Sequence, residues 1–94
     1  MLQEDRNKLS KEALDLNMAI DSLREELEAI NFYNQRAETV TEENLKKILV
    51  HNMNEEKEHA AMLISWIEQN DKHFSEELKK YLFTEKKDIS SLED

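Results

Sequence analysis

Residues 52–63 read NMNEEKEHAAML, and nearly every residue in the run favours helix. Yet Glu56 and His59 fall in line, at steps of four and three, with Leu49 before them and Leu63 after. Residues at those intervals share one helical face. Extending the line gives Leu45, Leu49, Asn52, Glu56, His59, Leu63 and Trp66, a heptad seam whose middle third is polar. A carboxylate on such a seam is costly to bury without a partner. The seam therefore fixes a helix and poses a chemical question at once.

Upstream, Leu9, Ala13, Leu16, Ile20, Leu23, Leu27 and Ile30 recur at the same alternating intervals and predict a first long helix. Ser10 or Asp5 can cap its start. The pattern dissolves in QRAETVTEEN, residues 35–44, where Thr39, Val40 and Thr41 lower helix propensity. Thr41, or Thr39 with Glu42 as a capping box, is expected to open the second helix. That helix fades around QNDKH, residues 69–73, and Ser75 or Asp71 caps a short third one through EELKKYLF. The expected bounds are about 8–37, 42–69 and 74–83, with a polar tail over 84–94, in a single domain spanning 1–94. The fold class is all-α: a two-helix antiparallel hairpin plus a short C-terminal helix. A lone hairpin cannot cover two such seams, so a second copy completing a four-helix bundle is expected.

Composition agrees with this reading. The 94 residues contain neither glycine nor proline, and 37% are charged against 38% hydrophobic. Turns and bulges usually recruit the two missing residue types. No apolar run approaches the length of a membrane span, and no signal-like segment precedes the first helix. The absence of cysteine excludes disulfides and thiolate metal sites. A net charge of −9 repels nucleic acid and anionic membrane and attracts cations. A soluble, cytoplasmic protein is expected.

Glu26 supplies the second half of the chemical answer. It lies beside the first seam, with Leu23, Ile30 and Tyr33 at i−3, i+4 and i+7. In a hairpin turning near residue 41, Glu26 and Glu56 each stand fifteen residues from the turn. At about 1.5 Å per residue both lie roughly 22 Å from it, at one level. One carboxylate thus converges on one Glu-x-x-His. Di-iron carboxylate bundles use a Glu from each of two helices and a Glu-x-x-His from each of the other two. This chain supplies half of that set, and two chains related by a two-fold would complete it. Oxygen-rich ligation with one nitrogen per metal suits iron or manganese, and zinc is accommodated too. The competing reading is a non-catalytic helical-hairpin interaction module, in which Glu56 and His59 bridge to Asn52 or to a partner chain and set pairing register. Glu25 and Glu28, off the seam, can pass cations inward or merely solvate the helix. His51, Glu55, Glu58 and His73 read as solvated. Tyr33 is either core or a hydroxyl supporting a metal-bound carboxylate.

Taken together, EELEAINFYNQR, ILVHNMNEEKEHAAMLISWI and YLFTEK resemble the encapsulated ferritin family, over about Leu14 to Lys86. The resemblance implies a ferroxidase that serves as iron-oxidising cargo of encapsulin nanocompartments in the cytoplasm. It implies a di-iron centre built across a subunit interface, in dimers that assemble into a ring-shaped decamer. By the same resemblance Glu26, Glu56 and His59 are the iron ligands, Glu25 and Glu28 a secondary site on the access route, and Tyr33 a neighbour of the catalytic centre. Zinc, manganese or calcium would be substitute ions. The chain departs from the family at two points. Phe32 stands where tryptophan commonly precedes the tyrosine, and the Gly/Ser/Leu-rich cargo peptide is not recognisable in TEKKDISSLED.

Overall fold

The computed structural model describes residues 1–93, so Asp94, the last residue of the expected tail, lies outside the described residues. Two long helices, α1 (Lys11–Thr39) and α2 (Glu43–Asn70), are followed by a short α3 (Lys72–Tyr81). Single 3₁₀ turns occupy Arg6–Lys8 and Ile89–Leu92, and no strand occurs among the described residues. The chain is all-helical. Among the described residues no helix is long and apolar enough to cross a membrane.

Side-chain caps set the boundaries. The Ser10 hydroxyl accepts from the Ala13 N–H at 3.1 Å and starts α1, while Asp5 caps the 3₁₀ turn ahead of it. At the far end the Thr39 hydroxyl donates to the carbonyls of Gln35 and Arg36, at 3.3 and 3.2 Å. The helix therefore runs on to Thr39, beyond the expected 37. The second helix opens one residue later than expected, and neither Thr41 nor Thr39 caps it. The Glu42 carboxylate accepts from the Leu45 N–H, placing a full negative charge at the positive end of α2. Asp71 closes α2 and caps α3 through the Phe74 N–H, so α3 begins two residues before the expected start. Ser75, the alternative cap, instead donates its hydroxyl to Glu68 at 2.6 Å and ties α3 to α2. The hairpin turns without glycine because Val40 and Glu42 hold ordinary extended backbone angles. Among the described residues Phe83 alone takes a positive φ, 63°, just after α3, where a glycine would be favoured and this chain has none.

Packing of α1 on α2 corrects the first expected seam. The covered face of α1 runs through Leu16, Ala19, Leu23, Glu26, Ile30, Tyr33 and Ala37, whereas Ile20 and Leu27 are about half exposed, at 47% and 52%. On α2 the covered face includes Met53, Glu56, Ala60, Leu63, Ile64 and Ile67, with Leu45 and Trp66 turned partly outward. Both faces keep heptad intervals, but each is rotated from the line the apolar residues draw. The buried residues among those described are Ala19, Ala37, Ala60 and Ile67. Three of the four are alanines, which permit close approach of the two backbones, and Ile67 is the one large side chain at 1% exposure.

Ile67→Ala should accordingly lower unfolding free energy by about 2–4 kcal/mol. Phe83→Ala, at a ring 99% exposed, should change it by less than about 0.5 kcal/mol in the unassembled chain. Urea unfolding of dilute protein checks both, and equal midpoints for wild type and Ile67→Ala would contradict the packing.

Candidate metal centre

Midway along the hairpin the covered face turns polar. Glu26 reaches across from α1, and Glu56 and His59 stand one turn apart on α2. The His59 Nδ1 lies 3.5 Å from a Glu26 oxygen and 3.6 Å from a Glu56 oxygen. One ligating atom from each residue falls within 4.8 Å of the others. Both carboxylates are mostly covered, at 23% and 25% side-chain exposure, and the imidazole is more open at 44%.

These separations are too long for hydrogen bonds. The Glu26 Oε2 is buried and accepts no hydrogen bond, although it is the oxygen nearest His59. Leaving a buried carboxylate oxygen unpaired costs about 1–3 kcal/mol or more. Three donor atoms that converge without satisfying one another suit a shared positive ion. Ligands held about 2.1 Å from one ion stand about 3.0–3.4 Å from each other, close to the two separations from His59 Nδ1. Two carboxylates and an imidazole nitrogen fit iron, manganese or zinc, and ligation through Nδ1 leaves the His59 Nε2 available for a second hydrogen bond.

Local sequence explains the convergence. Ala60, 5% exposed, follows His59 directly and lies one turn beyond Glu56. A larger side chain there would push α1 away and lengthen the reach of Glu26. The hairpin level at which Glu26 meets Glu56 is the one expected from equal distances to the turn.

The other candidates separate from this group. Glu25 and Glu28 are exposed and stand outside it. Tyr33 shares the covered face of α1, two turns beyond Glu26, with its ring under the Arg36 guanidinium at 5.7 Å. His51 and His73 approach only their own i+4 neighbours, Glu55 at 3.5 Å and Glu77 at 3.9 Å, on exposed faces. Arg36 was not marked by the sequence reading. Its spacing from two adjacent aromatics in FYNQR was the available signal.

The profile of the EncFtn-like family matches residues 1–85. The chain belongs to that family. An encapsulated ferritin-like protein of Rhodospirillum rubrum is 48% identical over 77 residues, which cover 82% of this chain and 55% of the relative. The chain thus spans about half the length of that curated relative. A ferritin-like protein of Thermotoga maritima is 45% identical over 83 residues, covering 88% of this chain and 73% of the relative. A solved structure of a Nitrosomonas europaea protein superposes with a TM-score of 0.88 at 54% identity, covering 90% of this chain and 93% of that one. The EncFtn-like fold and the Glu26–Glu56–His59 group together point to metal binding and are consistent with an iron-related function.

The orphaned oxygen gives a test with two opposing signs. Glu26→Gln should leave the metal-free protein as stable as wild type or more so, by up to about 1 kcal/mol, because the buried charge is gone. The same variant should lose most of the thermal-midpoint rise that manganese(II) gives the wild type. Thermal scans with and without manganese(II) read both. A substitution that destabilises the metal-free protein and spares the metal effect would show Glu26 to be a structural partner instead.

Proposed function

We propose that the chain is one half of a ferroxidase whose substrate is iron(II). Two copies pair about a two-fold axis, and their Glu26, Glu56 and His59 side chains enclose a di-iron centre with four carboxylates and two imidazoles. Glu56 bridges the ions, while Glu26 and His59 ligate from opposite helices. Tyr33 supports the carboxylates, and Glu25 and Glu28 gather cations on the approach. Bound iron(II) gives up one electron per ion to dioxygen or peroxide, and the hard carboxylates favour the iron(III) product.

The observation that carries this reading is the buried Glu26 oxygen left without a hydrogen bond beside His59. Surface area supports the two-chain form. The chain exposes 7813 Å², against about 5,700 Å² expected for a compact monomer of its mass. The excess is larger than the roughly 800 Å² each partner gives to a standard interface. Leu45, Ile48, Met62 and Trp66 are exposed at heptad-compatible positions on either side of His59 along α2, as an interface through the centre would require.

The rest follows the family resemblance. The Rhodospirillum rubrum protein is named as encapsulated. We extend that association to this chain: a ring-shaped decamer of five dimers inside an encapsulin shell in the cytoplasm, where oxidised iron is stored. Zinc, manganese or calcium would occupy the centre without turnover.

Aerobic addition of iron(II) should produce ferric-oxo absorbance faster than buffer alone. Glu26→Ala and His59→Ala should each slow that growth by about 10–100-fold. A wild type no faster than buffer would leave the interaction module as the better reading. Because the ligands are divided between chains, iron(II) should also shift the sedimentation distribution of dilute protein toward larger species. An unchanged distribution at every protein concentration would count against the shared centre.

A further inference from the structure

Arg36 has no place in the ligand set, yet its contacts are unusual for this chain. Its guanidinium carbon lies 5.8 Å from the Phe32 ring centre and 5.7 Å from that of Tyr33, both within cation–π range. Lys11, Arg24 and Lys79 each approach a carboxylate. Arg36 instead stands against two aromatic rings. We infer that Arg36 is a positioning residue, which clamps the Phe32 and Tyr33 rings and through Tyr33 sets the geometry beside the carboxylate–imidazole group.

The backbone fixes the clamp's base. The Arg36 carbonyl accepts from the Thr39 hydroxyl at 3.2 Å and from the Val40 N–H at 3.0 Å, anchoring the residue where α1 ends. Helical side chains lean toward the N-terminus, so Arg36 reaches back over residues three and four before it. A cation in the last turn also suits the helix dipole. The planar guanidinium can address two rings at once, which an ammonium does poorly. Tyr33 lies on the covered face two turns from Glu26, so the χ1 rotamer that the clamp holds decides in which direction its hydroxyl extends relative to the carboxylates. Phe32, 43% exposed, is held on the outer side of the same clamp.

The inference rests on the ferroxidase reading for its effect on rate, but the clamp itself has an independent readout. The chain has two tyrosines, and Tyr81 lies under Lys80 at 5.5 Å on a separate helix. In metal-free full-length protein labelled at tyrosine rings, Arg36→Met should shift the Tyr33 resonances and leave those of Tyr81 in place. In iron oxidation, Arg36→Met should lower the rate at saturating iron(II) by about tenfold and leave the half-saturating concentration unchanged. Arg36→Lys should restore part of the loss. Arg36→Met combined with Tyr33→Phe should be no slower than Tyr33→Phe alone, since one acts through the other. Unmoved Tyr33 resonances, or losses that multiply in the double variant, would overturn the inference while a wild type that oxidises iron keeps its function. A wild type that oxidises no iron would remove the function and Arg36's part in it, with the ring shifts still deciding whether the clamp exists.

Discussion

One carboxylate oxygen sets the chemistry of this hairpin. Glu26 Oε2 sits buried between two helices, 3.5 Å from an imidazole nitrogen, with no hydrogen bond to hold it. Everything near it is arranged around that cost. Ala60 brings the backbones close enough for Glu26 to reach α2, and the heptad spacing keeps Glu56 and His59 on the face it meets. A leucine at the same place would pack and would make an ordinary helical hairpin. The polar group therefore marks where the chain departs from its own stability optimum, and such departures collect at functional positions.

The surrounding hairpin is poorly equipped to absorb that cost alone. Its buried residues, among those described, are three alanines and one isoleucine, and large apolar side chains line both long helices in partial exposure. Caps do much of the local work: Ser10, Glu42 and Asp71 each satisfy an N–H in the first turn of a helix. They define where helices begin without adding hydrophobic burial. A structure with accurate ends and a thin core is suited to finishing its core against another copy of itself.

Much of this was legible in sequence because helical periodicity and hairpin arithmetic are local. The Glu-x-x-His of α2 and the level of Glu26 follow from spacing and from the distance to the turn. The α1 seam was less legible. Leu9, Ala13, Leu16, Ile20, Leu23, Leu27 and Ile30 make the most regular apolar line, yet Ile20 and Leu27 face outward. A helix with two apolar faces shows the more regular one, while the face that meets α2 shares Leu16, Leu23 and Ile30 with it and is otherwise written in Ala19, Glu26, Tyr33 and Ala37. Alanine carries little hydrophobic signal but allows the closest approach. Capping was misread for a similar reason: Thr41 and Thr39 are the residue types that usually cap, with Glu42 expected only as the partner of Thr39, whereas the Glu42 carboxylate itself gains from the positive end of α2. The Arg36 contacts escaped because charged residues at a helix end are usually solvated, and only coordinates show a guanidinium set against rings.

The same oxygen connects stability to assembly. A buried, unpaired carboxylate raises the free energy of the hairpin, so whatever neutralises it returns that free energy to the folded state. If the neutralising ion is shared by two chains, its affinity depends on their pairing, and linkage requires pairing to depend on the ion by the same factor. An apolar seam could join two copies just as firmly, but would make their union indifferent to metal. Under the proposed pairing, Glu26, Glu56 and His59 in the middle of a largely apolar seam would make the fit between copies conditional on a cation.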